Sequence, residues 1–253
     1  MIVTKHIEKV KIYNHYTNYK GRLFVKTLCD LFNDVAETQT KKYGVDVGTL
    51  NAQGMTWMLH RLHIHLSKMP QQNEEIYVET WPSGTDRLLT WRDYRVIREN
   101  GEELIRATSE WMYIDLARRR PVRLPEKIIK MSTDHEIPHL QFEPILFEKE
   151  FPAGEFQTGR SFTATFDNID FNGHVTQAAY MRWITNSLPF DFLKEYILVE
   201  VEVVYAHEIM PDSTIYSSYF MEEQAGKIVV SHQVTNEQGN LRHCIAKTIW
   251  ERS

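Results

Sequence analysis

The chain has 253 residues, enough for one large domain or two of about 125 each. A hydrophobic fraction of 42% and a charged fraction of 25% belong to a globular protein with a core, and they exclude a disordered chain. The net charge of -5 hides a division: residues 1–130 hold 21 Lys and Arg against 16 Asp and Glu, while residues 131–253 hold 8 against 18, so an acidic partner would be steered toward the first half.

The first half opens with strand-like text at Lys9-Val10-Lys11-Ile12-Tyr13. A helix is predicted from about Gly21 to Tyr43, because Phe24, Leu28, Leu31, Phe32 and Val35 recur at spacings of three and four. Gly44 marks its stop. Strands are predicted at residues 55–66, 75–81, 88–97 and 103–114, with Leu62, Ile64 and Leu66 on one face of the first. Pro82-Ser83-Gly84 and Asn100-Gly101 are the turn signals. His60, His63 and His65 share one strand without a nearby Cys or an H-E-x-x-H pattern, which favours solvent-facing histidines over a zinc site. A basic run follows, with Arg118, Arg119, Arg120 and Arg123 close together. Residues 129–150, including His135, Pro138, His139 and Pro144, show little periodicity and read as a linker.

The second half repeats the order. Thr163 to Phe166 is strand-like, and Val175 to Tyr196 reads as a helix bent or ended near Pro189. Strands follow at 199–205, 214–220, 228–235 and 241–250, with Glu237-Gln238-Gly239 at the hairpin position of Glu99-Asn100-Gly101. Met69-Pro70 echoes Met210-Pro211, and Ala107 and Trp111 echo Ala246 and Trp250, in matching context. Such self-similarity points to a tandem duplication. The expected organisation is an N-terminal domain at 1–130, a linker at 131–150 and a C-terminal domain at 151–253. A unit of one helix and several antiparallel strands buries both by wrapping the sheet around the helix. The expected fold class is therefore α+β, a tandem (double) hot-dog in which two long helices are each wrapped by a curved antiparallel sheet.

No apolar run approaches the roughly 20 residues of a membrane span, and Met1 to Lys11 lacks the apolar core of a secretory signal. Cys29 and Cys244 are too few for a disulfide framework, and a reducing cytoplasm is the simplest compartment. No glycine-rich phosphate loop or dinucleotide fingerprint occurs, and no nucleic-acid motif, so neither a cofactor nor a nucleic-acid partner is expected.

The segment Asp167-Asn168-Ile169-Asp170-Phe171-Asn172-Gly173-His174-Val175 concentrates polar and titratable groups before the second helix. Asp170, Asn172 and His174 sit two apart, a spacing that aims all three one way in an extended loop. His174 can exchange a proton near neutral pH, and Asn172 can hydrogen-bond without titrating. The N–H groups of the following helix suit a developing oxyanion. The competing reading is that Asp170 or Asn172 merely caps that helix.

Asp170-Phe171-Asn172-Gly173-His174-Val175, followed by Tyr180 and Trp183, resembles the D-x-N-x-H-V…Y…W signature of the acyl-ACP thioesterases of plastids and bacteria. Glu79-Thr80-Trp81-Pro82-Ser83, Thr56-Trp57-Met58-Leu59 with His63-Ile64, and Arg106-Ala107-Thr108-Ser109 are similar to further motifs of that family. So is Tyr205-Ala206-His207-Glu208-Ile209-Met210-Pro211-Asp212-Ser213. The resemblance spans about residues 10 to 250. It implies a double hot-dog and, in fatty acid biosynthesis, hydrolysis of the thioester joining a fatty acyl chain to acyl carrier protein.

The resemblance carries the catalytic set onto Asp170, Asn172, His174 and Glu208. Glu208, with His174, would take a proton from the attacking water. Asn172 and backbone N–H groups would hold the thioester oxygen, and Asp170 would orient Asn172 or His174. A variant makes Asp170 or Glu208 the direct nucleophile. The position after the glutamate, often Cys in plant members, is Ile209, which excludes a thiol nucleophile there. The first repeat would house the acyl chain, with Leu28, Leu31, Phe32, Met55, Trp57 and Leu59 lining a tunnel; plain core is the competing reading. Arg118, Arg119, Arg120 and Arg123 would dock the acidic carrier and its phosphopantetheine phosphate, or else form a solvated face. Two other functions stay open on the same fold: an acyl-CoA thioesterase and a non-catalytic acyl-thioester-binding module. Fused repeats already supply the pairing of a single hot-dog, and a homodimer of double units stays open.

Overall fold

The computed structural model describes residues 5–133, 137–147, 151–152 and 155–253. The chain folds as two compact units, Met1–Phe142 and Glu143–Ser253.

The first unit contains strands β1 (His6–Lys11), β2 (Met55–Leu66), β3 (Glu75–Asp86), β4 (Leu89–Ile97), β5 (Glu103–Asp115) and β6 (Arg120–Pro121). Its helices are α1 (Val25–Tyr43), α2 (Val47–Asn51) and α3 (Glu126–Thr133). The antiparallel sheet runs β1-β3-β4-β5-β2, with β6 folded back on β5. The stripe Leu28, Leu31, Phe32 and Val35 is buried, and Phe32 stacks on Tyr94 of β4 with ring centroids 4.4 Å apart. Each such side chain contributes about 1.5–3 kcal/mol by leaving water. Gly44 ends α1 in the left-handed conformation (φ 61°), its N–H bonded to the carbonyls of Thr40 and Lys41.

Three expectations for this unit are corrected. Pro82-Ser83-Gly84 is not the turn: β3 runs through it with a register shift, and the chain reverses after Asp86 with Arg87 at φ 49°. His63 does not face solvent. It is 3% exposed, and its ring lies 4.7 Å from that of Phe142. A second register shift falls between Leu59 and Arg61, and beyond it Leu62, Ile64 and Leu66 are buried on one face as expected. Residues 126–133 form a helix, α3, with Ile128 and Met131 buried.

The second unit contains β7 (Gln157–Thr163), a 3₁₀ turn (Phe166–Asn168), helices α4 (Gln177–Asn186) and α5 (Phe190–Glu195), and strands β8 (Tyr196–Tyr205), β9 (Thr214–Gln224), β10 (Lys227–Asn236) and β11 (Arg242–Arg252). Its sheet runs β8-β11-β10-β9-β7. Replacing β7, β9, β10, β11 and β8 by β1, β3, β4, β5 and β2 reproduces the order of the first unit. The register agrees too: Ala107 lies opposite Ile64 and Tyr94, and Ala246 opposite Val203 and His232. The second helix breaks near Pro189 as expected: α4 ends at Asn186, and Pro189 is the N-cap of the short α5. Phe166 lies in the 3₁₀ turn, not in a strand.

Residues 137–147 are fastened rather than slack. In the first unit Asp93 of β4, 0% exposed, accepts the Leu140 N–H at 2.6 Å and faces His139 Nδ1 at 3.0 Å. In the second unit Glu202 of β8, 1% exposed, accepts the N–H groups of Ile145 and Leu146 at 2.7 Å each. A buried carboxylate costs several kcal/mol unless such donors meet it, so these contacts hold the segment in place. His135 and Glu150 of the expected linker lie outside the described residues.

Candidate active site

All four expected catalytic residues fall in the second unit, on two loops. The first loop joins the 3₁₀ turn to α4. Thr165 and Asn168 cap the turn reciprocally. The chain then bridges Ile169 to Val175 and closes with the Asp170 N–H donating to His174 O at 2.8 Å. Gly173 (φ 78°) supplies the left-handed residue the closure requires.

This loop is not extended, which corrects the expectation that Asp170, Asn172 and His174 all project one way. Asp170 Oδ1 turns back to accept the N–H groups of Asn172 at 2.8 Å and His174 at 3.3 Å. Its first effect is to shape the loop, as an Asx turn does. The Val175 and Thr176 N–H groups donate to Ile209 O and Asn168 O, so these two are not available to an oxyanion.

The second loop follows β8 and carries Glu208. Glu208 Oε2 lies 3.4 Å from His174 Nε2, with side-chain exposures of 37% and 19%. The two loops therefore bring an imidazole and a carboxylate to one spot that solvent can reach. The bond from Val175 N–H to Ile209 O, 3.0 Å, ties the loops together immediately beyond both residues. Behind them Tyr180 of α4 donates its hydroxyl to His207 O at 3.4 Å and packs edge-on against Tyr205. Burial, and then the neighbouring Cys244, Glu208 and Asp170, hold its phenol above the ordinary range, so it stays a donor. Trp183, fully buried, lies against Tyr180 and Phe162.

Both units match a known family. The family model "Acyl-ACP thioesterase N-terminal domain" matches residues 3–132, and "Acyl-ACP thioesterase C-terminal domain" matches residues 153–252. The chain belongs to the acyl-ACP thioesterase family. It is 28% identical over 194 residues to a chloroplastic acyl-acyl-carrier-protein hydrolase of Cuphea viscosissima, covering 73% of this chain and 46% of that protein. Among solved structures it is similar to an acyl-ACP thioesterase from Bacteroides thetaiotaomicron (TM-score 0.83, 26% identity, 98% of each chain). In fold it is similar to the 12:0-ACP thioesterase from Umbellularia californica (TM-score 0.80, 18% identity, 98% of this chain and 94% of that one). The double hot-dog is thus the fold of this family member. The chain spans about half the length of the curated relatives it matches.

Other expected residues of this acyl-ACP thioesterase family member lie elsewhere. In the first unit Leu28, Leu31, Phe32 and Leu59 are buried. Met55 and Trp57, partly buried, pack against a cluster of Val45, Leu50, Tyr113, Leu124, Ile128 and Met131, and Trp57 Nε1 donates to Val45 O at 2.8 Å. Arg118, Arg119, Arg120 and Arg123 are exposed around the β5–β6 reversal, where Asp115 Oδ1 accepts the Arg118 N–H and Arg119 adopts φ 50°. Ile209 is 1% exposed, so its side chain anchors the Glu208 loop in the core. Cys29 and Cys244 are buried, and burial pushes both thiols well above their usual range. Among the described residues no cluster of His, Cys, Asp and Glu has the makings of a metal site, and no helix is long and apolar enough to cross a membrane. Sequence reasoning missed His243, 6% exposed, whose Nδ1 lies 3.3 Å from His207 O. What places it there is the antiparallel pairing of β8 and β11, which sets Cys244 opposite Tyr205 and which the sequence does not show.

Proposed function

We propose that this chain hydrolyses the thioester between a fatty acyl chain and the phosphopantetheine of acyl carrier protein, releasing the free fatty acid and the carrier thiol. The observation that carries the reading is the 3.4 Å approach of His174 Nε2 to Glu208 Oε2 within a family member. Water attacks the thioester carbon and gives its proton to Glu208, with His174 holding that carboxylate and sharing the proton. The side-chain amide of Asn172 donates to the thioester oxygen as it becomes negative. The carbon–sulfur bond breaks, and the thiolate leaves with the proton that Glu208 accepted. Asp170 keeps the Asn172–His174 loop in its turn.

The acyl chain is assigned to the first unit, along Leu28, Leu31 and Phe32 of α1 and Met55, Trp57 and Leu59 of β2. The acidic carrier is assigned to Arg118, Arg119, Arg120 and Arg123, whose exposed guanidinium forks suit carboxylates and a phosphate. A bacterial cytoplasm, with fatty acid biosynthesis as the setting, fits two buried free thiols. Hydrolysis of a panel of acyl-ACPs, read as thiol release and fatty-acid identity, tests the reading; no thiol release from any member would refute it.

A further inference from the structure

We propose that His243 is a positioning residue for Glu208, acting through the backbone of the loop that carries it. The inference rests on the reading of Glu208 as the base.

The register of the second sheet puts His243 where it is needed. Cys244 of β11 lies opposite Tyr205 at the end of β8, so His243 sits beside the first residues of the Glu208 loop. Its carbonyl accepts two successive N–H groups, from Ala206 at 2.9 Å and His207 at 3.2 Å. Its ring reaches back to the same stretch, with Nδ1 3.3 Å from the His207 carbonyl. That carbonyl belongs to the peptide unit leading into Glu208, and Tyr180 supplies it with a second donor at 3.4 Å. On the other side of Glu208, the Ile209 carbonyl is held by Val175. The backbone before and after Glu208 is therefore fixed on both sides, by β11 and α4 on one and by the His174 loop on the other. The exposed His207 ring adds a reciprocal bond, with Nδ1 2.8 Å from the Arg242 carbonyl.

The His243 ring is suited to this. Nδ1 faces a carbonyl, which only accepts, so the proton must sit on Nδ1. Burial lowers the ring's affinity for a second proton, and the backbone at His207 and Glu208 opposes that shift. A neutral, buried Nδ1–H donor costs no charge burial. Loss of that donor leaves the His207 carbonyl to Tyr180 alone and loosens the peptide leading into Glu208. A displacement on the order of 1 Å at a general base costs up to about 10²-fold in turnover while leaving substrate binding intact.

The test compares His243→Asn, which keeps an amide N–H near the place of Nδ1, with His243→Leu, which keeps volume without a donor. Each is made in the unaltered enzyme and in Glu208→Gln, with thermal melts to establish folding. His243→Leu should lower kcat on acyl-ACP roughly 10- to 100-fold with KM little changed, and His243→Asn should restore most of it. In the Glu208→Gln background, His243→Leu should cost less than about twofold of the residual turnover, because coupled residues are not additive. Should His243→Leu not fold, His243→Gln, whose longer stem displaces the donor, takes its part. Normal kcat in the folded donor-free variant, no rescue by Asn, or an undiminished penalty in Glu208→Gln would each overturn the proposal. Normal turnover of Glu208→Gln alone would instead refute Glu208 as the base, and the positioning role with it.

Discussion

His174 Nε2 and Glu208 Oε2 lie 3.4 Å apart although 34 positions separate them in the chain. The pair exists because Val175 bonds Ile209 one residue beyond both. If the carboxylate takes the proton of water, Glu208→Gln keeps the shape and removes the base. Turnover should then fall by about 10²-fold or more, with unchanged thermal stability. His174→Ala should lower kcat as well, because the partner of that carboxylate is gone. Steady-state rates and melts on the two variants check this.

Asp170 gives a sharper discrimination. Its Oδ1 accepts two backbone N–H groups, a task that an Asn oxygen can also perform. Asp170→Asn should therefore retain most of the activity, whereas Asp170→Ala should lose both activity and about 1 kcal/mol of stability. Equal damage by the two would mean that the charge, not the turn, is what the enzyme uses at this position.

Carrier docking has its own readout. Arg118→Glu with Arg119→Glu reverses two exposed charges at the β5–β6 reversal. The KM for acyl-ACP should rise, and more so at low salt, while kinetics on acyl-CoA should hold. Equal effects on both substrates would remove the docking assignment.

His232 predicts a pH dependence of stability. It lies on β10 at 0% exposure, its Nε2 2.8 Å from Thr248 Oγ1, and burial pushes it down to about 3 from 6.5. Between those values the unfolded chain holds a proton that the folded chain lacks, so stability rises with pH. The contribution is complete above 6.5 and is lost as pH falls toward 3. Its slope approaches about 1.4 kcal/mol per pH unit. His243 adds in the same direction. Denaturant unfolding from about pH 6 to about pH 4, a span inside that window, should show a shallower slope in His232→Gln than in the unaltered protein. Parallel slopes would contradict the assignment.

Much of the fold is legible in the sequence because periodicity and repetition are local. The α1 stripe, the Gly44 stop, the Asn100-Gly101 hairpin and the echo of Ala107 and Trp111 in Ala246 and Trp250 all depend on near neighbours. The misreadings are where tertiary partners decide. Pro82-Ser83-Gly84 has turn composition, yet β4 pairs across it. His63 alternates like an exposed residue until Phe142 covers it. Residues 137–147 look slack because their anchors, Asp93 and Glu202, are 46 to 57 positions away.

The candidate site divides the same way. The motif text names Asp170, Asn172, His174 and Glu208, but not that Asp170 faces its own loop or that His243 grips the peptide before Glu208. Both are backbone contacts, which residue identity does not encode.

The most direct test of the central claim is a side-by-side measurement of kcat/KM on one acyl chain carried by acyl carrier protein and by coenzyme A, with Glu208→Gln in parallel. The account predicts clear preference for the protein carrier, with stoichiometric thiol and fatty acid, and near-complete loss in the variant. Equal or faster hydrolysis of acyl-CoA, or full activity in Glu208→Gln, would contradict it.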